Sequence, residues 1–405
     1  MCQPRYRLVF PKIKTKKMKK ATTLLSAALI ALAISLASSC TNNSKKQADN
    51  VASTEAVADS QSIIHPRYAK GFSVEYPSEG IRLVEVKDPQ KGKGMTYRFA
   101  LVSQGANAEV PEGYTRIDVP IRSAVLMTML QLSNFTALDA QDIVKGITGT
   151  KNLFDKNIKE RVKKGDIVKI GMEGNFDPEL VMAAKPDVIF ISPFKRGGYD
   201  AVKETGVTLV PHLGFKELDP LGQAEWIKFV AMFIGKEHQA NVVFQEIADR
   251  YESLKEKVAQ AKGKRPTVFS GEMHGGNWHA VGGKNYLAQI FRDAGADYVI
   301  NDDNTGGEPL DFESMYSKAA EADYWRILNS YPGDFSYEAL AESENRNKLF
   351  KAFRDKKVIY CNMKRHPYYE ISPICPDKVL ADFVAIFHPE LMPKDYKPTF
   401  YQLLK

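Results

Sequence analysis

Apolar and polar positions follow two rhythms along this chain, and two distant stretches share one plan. Residues 178–190 read PELVMAAKPDVIF and residues 311–327 read DFESMYSKAAEADYWRI. In each, a glutamate (Glu179, Glu313) opens a short helix with one apolar face. A break follows at Lys185-Pro186-Asp187 or Glu321-Ala322-Asp323, and then comes a buried-strand run. The repeat predicts two similar α/β units facing each other.

The rest of the pattern extends that reading. Strands are predicted over 116–119, 143–147, 188–192 and 208–210, with helical segments over 123–132 and 179–184 between them. A second series runs through 267–270, 298–300, 324–328 and 358–361 and closes with a helix over 376–387. Strands alternating with helices of this length imply parallel sheets covered on both faces. Ahead of them, short alternating runs at 72–76, 81–86 and 95–102 are broken at 77–80 and 91–94, which reads as a small antiparallel β decoration.

Between the two series lies the longest helical signal. Asp219-Pro220 is a cap with Pro at the first helical position, the helix runs to Ile234, and Gly235 ends it. Ala240, Val243, Phe244, Ile247, Tyr251, Leu254 and Val258 then recur at helical spacing over 236–260, a stretch without internal Gly or Pro that spans roughly 38 Å. Such a helix either ties two lobes together rigidly or packs within one of them. The expected fold class is α/β: two lobes with central, mostly parallel sheets joined by a single long rigid helix, with β decoration at the N-terminus. The expected boundaries are an N-terminal lobe over 63–235 with its β-rich part at 72–102, an interlobe helix over 236–262, and a C-terminal lobe over 263–405.

The N-terminus changes how the charge is read. Six lysines between Lys12 and Lys20 precede an apolar and small-residue run over 21–37, closed by Ser38-Ser39-Cys40. That is the basic, apolar and cleavage-site order of an export signal over 1–39, at the lower length limit for a spanning helix and followed by a polar segment rather than a stop-transfer pattern. Met18 also resembles a start, with 1–17 as an extension. The leader holds eight basic residues and no acidic ones. Removing them takes 56 Lys+Arg to 48 against 49 Asp+Glu, so a formal charge of +7 becomes about −1. The hint of a nucleic-acid partner therefore comes from the leader alone. Residues 40–62 carry no apolar periodicity and read as a flexible tether. Cys361 and Cys375 either close a disulfide loop, with a contribution of about 3 kcal/mol, or stay free thiols.

Cys40 behind the cleavage site resembles a bacterial lipobox, with Ala37 where Leu is usual. The chain beyond 116 is similar to class III substrate-binding lipoproteins of ABC importers, the group that captures iron-siderophores, haem or cobalamin. The likeness rests on ELVMAAKPDVIF after Pro178, NVVFQEIADRYESL in the long helix, NWHAVGGKNYLAQIFRDAGADYV over 277–299, Glu313 with its helix, and PDKVLADFVAIFHPELMP over 376–393. It implies a ligand cleft between the lobes, lipidation at Cys40, and docking of Glu179 and Glu313 into arginine pockets of the permease subunits that work with the ATPase. It also implies a periplasmic protein, lipid-anchored to a cell membrane.

Ligands of open α/β sheets bind beyond the carboxyl ends of the strands, so the loops there are expected to line the cleft. They offer Lys195, Arg196, Tyr199 and His212 from the first lobe, and His274, Trp278, His279, Arg365 and Tyr368 from the second. Aromatic and cationic side chains suit a large, flat, partly anionic ligand. Trp278, in a Gly-bounded loop, is expected to have little core to fill.

An enzyme is the competing class, but no G-x-S-x-G, H-E-x-x-H or Walker A string occurs. His212, His274, His279 and His366 lack the i, i+4 pairing of a helical metal site, which leaves a zinc or manganese binder as a lesser alternative. The expected protein is a monomeric, non-enzymatic carrier of a ferric siderophore or haem, with cobalamin as the alternative and no intrinsic cofactor.

Overall fold

The computed structural model describes residues 62–91, 94–149, 153–172, 175–193, 199–307 and 309–405. The leader, Cys40, the tether up to residue 61, Lys195 and Arg196 lie outside the described residues.

Strands β1 (Phe72–Ser78), β2 (Ile81–Lys87) and β3 (Thr96–Ser103) form the expected antiparallel decoration. β4 (Thr115–Val119) pairs with β3 in parallel, so the strand assigned by pattern to the start of the α/β series belongs to this sheet instead. The reason is visible in its alternation: Ile117 and Val119 are buried while Arg116 and Asp118 are exposed, and a strand covered on both faces would be apolar throughout. Phe72 packs against Trp226 at 5.2 Å and Phe229 at 5.5 Å on helix Pro220–Ile234, each ring pair contributing about 0.5–1.5 kcal/mol beyond its buried area. Two buried carboxylates hold the chain leading into β1. Glu225 accepts the amides of Arg67, Tyr68 and Ala69 at 2.9, 2.7 and 2.9 Å, and Glu217 accepts those of Lys70 and Gly71 at 2.9 and 2.8 Å.

The first parallel sheet contains β5 (Ala124–Leu126), β6 (Val144–Ile147), β7 (Val168–Lys169), β10 (Val188–Ile191) and β11 (Thr208–Pro211), in the order β11-β10-β5-β6-β7. A small hairpin of β8 (Gly171–Met172) and β9 (Asn175–Phe176) sits between β7 and β10 in sequence. The apolar run at 123–132 is not one helix. It is the central strand β5 followed by helix Met129–Ala137, which begins at the capping box of Thr128 and Gln131. A short run that is apolar on every side has no periodicity to separate buried strand from buried helix.

The second sheet contains β12 (Thr267–Ser270), β15 (Asp297–Tyr298), β17 (Tyr324–Asn329) and β18 (Val358–Asn362), all parallel, with β19 (Gln402–Leu403) antiparallel at the edge. β13 (Glu272–His274), β14 (Asn277–His279) and β16 (Pro309–Leu310) form a separate antiparallel sheet. The sequence repeat is real at atomic level. Asp177 caps helix Pro178–Ala183 and Asp311 caps helix Phe312–Ala319, which places Glu179 and Glu313 at the same helical position. After each helix an aspartate clasps the neighbouring strand. Asp187 accepts the amides of Arg122 and Ser123 and returns its own amide to the Ser123 hydroxyl at 2.9 Å. Asp323 accepts the Thr267 amide at 3.0 Å and returns its amide to the Thr267 hydroxyl at 2.9 Å.

The long helix is Glu237–Ala259, and it runs between the two sheet series. It buries Ala240, Phe244, Ile247, Ala248, Tyr251 and Val258 against helices Pro220–Ile234 and Pro376–Phe387. One apolar cluster continues from the first sheet through this helix to the second. Cys361 is a free, buried thiol, so the Cys361–Cys375 bridge does not form. Spacing along the chain does not set the Cα separation that a disulfide needs, and Cys361 lies within β18.

The Asp323 clasp supplies a test of the repeat. Burial opposes ionisation of Asp323, but Lys351 and the Thr267 amide and hydroxyl outweigh it and bring its pKa to about 2. A lowered pKa means the stabilisation is full above the unfolded value near 3.8 and is lost as pH falls through about 2. Asp323→Asn is expected to lower unfolding free energy by about 2 kcal/mol at neutral pH, and the gap to wild type in urea titrations should narrow below pH 4. A gap that stays constant into that range would show that charge plays no part.

Candidate functional site

Loops from the carboxyl ends of the two parallel sheets meet. Glu370, eight residues beyond the end of β18, accepts through its carboxylate the amides of Phe154 at 2.7 Å and Asp155 at 2.6 Å, beyond β6. Gln90, in the β2–β3 connection, donates to the Lys216 carbonyl at 2.8 Å just beyond β11, and accepts from the Thr305 hydroxyl at 3.0 Å on the second lobe. The carboxyl ends of both sheets therefore border the same interlobe region, where open α/β sheets take ligands.

The second lobe presents a polar, aromatic wall there. Asn329, at the end of β17, donates to Glu272 at 3.2 Å and accepts from the Tyr360 hydroxyl at 2.8 Å, and Asn362 donates to the Tyr331 carbonyl at 3.0 Å. Burial pushes the Glu272 carboxyl up, against the pull of the Asn329 bond. Phe335 stacks on Tyr360 at 4.6 Å, and a cavity of about 350 Å³ opens beside them, lined by Asp334, Arg365, His366 and Lys405 among others. Arg365 is exposed and pairs with Asp334 at 2.6 Å. His274 and His279 are exposed on the β13–β14 hairpin with ring centres 6.3 Å apart.

Three residues expected in the cleft are interior instead. Trp278 is fully buried, donates its indole N–H to the Ser270 carbonyl at 2.9 Å, and packs against Phe269, Trp325 and Phe350. The hairpin folds its inward face over the second sheet's core, so the Gly-bounded loop does have a core to fill. His212 is buried 4.8 Å from Trp226 and lies 3.3 Å from the Asn134 amide, and burial pushes its pKa down to about 3, so it is neutral. Tyr368 is buried among Phe400 and Tyr401. Tyr199 is half-buried, stacked on Phe176 at 5.4 Å, with its hydroxyl donating to the Ser192 carbonyl at 3.1 Å.

Sequence reasoning missed Asn329 and Asn362, which end β17 and β18, and Tyr360 within β18. It also missed Arg326, a buried cation whose guanidinium lies over the Tyr401 ring at 5.1 Å and donates to its hydroxyl. No group of three or more His, Cys, Asp or Glu side chains placed to hold a metal ion occurs among the described residues.

Residues 127–364 match the model of the periplasmic binding protein family. The chain belongs to that family. An uncharacterized lipoprotein of Methanocaldococcus jannaschii is 26% identical over 353 residues, covering 80% of this chain and 82% of the relative. Among solved structures, a periplasmic heme binding protein from Pseudomonas aeruginosa superposes with TM-score 0.57 at 18% identity, covering 70% of this chain and 98% of that one. An ABC-type Fe3+-hydroxamate transport system protein from Saccharomonospora viridis superposes with TM-score 0.54 at 15% identity, covering 67% and 95%. At these identities the superpositions establish the two-lobed fold. The N-terminal sheet, ending at Val119, lies wholly outside the family match.

Trp278→Ala is expected to cost about 3–5 kcal/mol of folding stability, the range for emptying a buried aromatic site, read from denaturant midpoints. A variant of wild-type stability would return Trp278 to the cleft wall.

Proposed function

We propose that this chain is a lipid-anchored receptor that delivers an iron complex, a siderophore or haem, to an ABC importer. The observation that carries the reading is the facing pair of parallel sheets, whose carboxyl-end loops meet beside a wall of Tyr331, Phe335, Tyr360 and Arg365. Aromatic faces there suit the apolar surface of a macrocycle or catecholate, and Arg365 suits its carboxylate or phenolate oxygens. Family membership supports a binding role over an enzymatic one. The ligands named for the two superposed proteins support iron or haem as cargo, and cobalamin, another large macrocycle, is the second reading.

Anchorage is read from Cys40 behind the export signal, and the lipoprotein name of the relative supports it. No helix among the described residues is long and apolar enough to cross a membrane. Docking is read from the repeat. Glu179 and Glu313 occupy equivalent second positions of equivalent helices, one per sheet series, and both are exposed. Glu313 already pairs with Arg346 at 2.9 Å, its side chain remaining 75% exposed. A permease arginine would take the place of Arg346, an exchange of like for like that costs little at an exposed pair and gains where the interface excludes water.

The deciding measurement is the absorption spectrum of protein purified from its native host. A Soret band is expected for haem and a broad visible charge-transfer band for a ferric siderophore; a corrin spectrum would move the reading to cobalamin, and no chromophore would count against all three. Glu179→Ala and Glu313→Ala should each reduce uptake several-fold while leaving calorimetric ligand affinity unchanged. A comparable loss of affinity would place either glutamate in the cleft. Cys40→Ser should release the protein from membranes into the soluble fraction, and retention after a carbonate wash would mean an uncleaved anchor.

A further inference from the structure

Besides their shared apolar core, the lobes are joined among the described residues by side-chain hydrogen bonds at two separate places, which neither the repeat nor the family match accounts for. The first tie is Glu370. The residue is 4% exposed, belongs to the second lobe, and its carboxylate accepts two backbone amides of the first, at Phe154 and Asp155. Those amides lie just ahead of helix Lys156–Lys164, at its N-cap Asp155 and the residue before it, and the Asp155 side chain caps the Ile158 amide. A helix start leaves several N–H groups without intrahelical partners and carries partial positive charge, so a buried carboxylate there satisfies donors and complements the dipole at once. Here the carboxylate comes from the opposite lobe. The packing of helix Tyr368–Ile371 against helix Met129–Ala137 brings it there.

The second tie is Gln90. The β2–β3 connection is fastened to the first lobe by the Asp88–Lys216 ion pair and by the Gln90 bond to the Lys216 carbonyl, and Thr305 of the second lobe closes on the other end of the same amide. One side-chain amide thus bridges both lobes, donating to one and accepting from the other. It also gives the N-terminal sheet a place in the site, since this sheet lies beyond the family match.

We propose that Glu370 is a positioning residue that sets the spacing of the two lobes and holds the backbone at Phe154 and Asp155, with Gln90 as a weaker tie contributed by the N-terminal sheet. The two differ in strength for a physical reason. Breaking the Glu370 tie strands a buried carboxylate and two amides, whereas breaking the exposed Gln90 tie hands its partners to water. Ligand release then requires the Glu370 bonds to yield, and the Gln90 bonds follow at little cost. The ligand consequence rests on the receptor reading given above; the tie itself does not.

The test uses the exported protein without ligand. Spin labels at exposed Lys203 and Lys318 report the lobe spacing, and hydrogen exchange reports the Phe154 and Asp155 amides. Wild type should give one narrow distance. Glu370→Gln, which keeps the side-chain shape, should speed exchange at 154 and 155 at least tenfold and broaden the distance distribution, with exchange in β1–β4 unchanged. Gln90→Ala and Thr305→Ala, at the surface, should leave those amides protected and broaden the distribution slightly, and adding either to Glu370→Gln should widen it further. Exchange and spacing both unchanged in Glu370→Gln overturn the proposal, as does broadening in Gln90→Ala equal to that in Glu370→Gln. If Glu370→Gln does not fold, Glu370→Asp takes its place, with the same directions expected. Haemin dissociation is the separate ligand measurement: Glu370→Gln should speed it several-fold. A wild type that fails to bind haemin counts against the haem reading and leaves the distance result standing.

Discussion

Buried carboxylates that accept backbone amides from distant segments hold this structure together at its joints. Glu217 and Glu225 fix the chain entering the N-terminal sheet and Glu370 crosses between the lobes, while the half-buried Asp323 and the exposed Asp187 make the same kind of clasp nearer the surface. Asp382 does the same near the C-terminus, accepting the amides of Thr399, Phe400 and Tyr401 and the hydroxyl of Tyr396. Each carboxylate trades water for several fixed donors, which recovers the desolvation cost only when the donors arrive together. Apolar packing in the shared core tolerates small slips. A carboxylate facing two or three amides does not, so these sites set position while the core supplies most of the driving force.

That division explains what could be read from the sequence. The two-sheet plan, the long helix and the N-terminal decoration were legible because each rests on periodicity: alternation in β1–β3, three- and four-residue spacing in Glu237–Ala259, and the repeated glutamate-led helix before a buried strand. β5 was not, because a three-residue strand buried on both faces shows no alternation. The membership of β4 was misread because its wet face, not its place in the chain order, decides which sheet it joins.

The site was legible as a region and not as a list. The rule that ligands lie beyond strand carboxyl ends led to loops that border the interlobe region, but residue type then misled at Trp278, His212 and Tyr368, all of which turn inward. A large aromatic beside glycines reads as a binding residue only when nothing else can bury it, and here a three-stranded sheet folds it onto Phe269 and Trp325. The residues missed, Asn329, Tyr360 and Asn362, are common types at unremarkable positions. Only the pairing of β17 with β18 brings them together as a wall. The carboxylate of Glu370 has no sequence signal at all, since its partners are backbone amides more than two hundred residues away.

The tie between lobes also constrains how a receptor of this build can work. A helix without internal Gly or Pro resists bending along its length, and its buried face is locked between helices from both halves of the chain. Added cross-lobe bonds at Glu370 and Gln90 leave little freedom for the lobes to swing as rigid bodies. Adjustment short of lobe separation then falls on exposed side chains beyond the strand ends, such as His274, His279 and Arg365, whereas separating the lobes breaks the Glu370 clasp. Specificity in such a scaffold follows from those loops, and two chains with the same lobes and ties can carry different cargo.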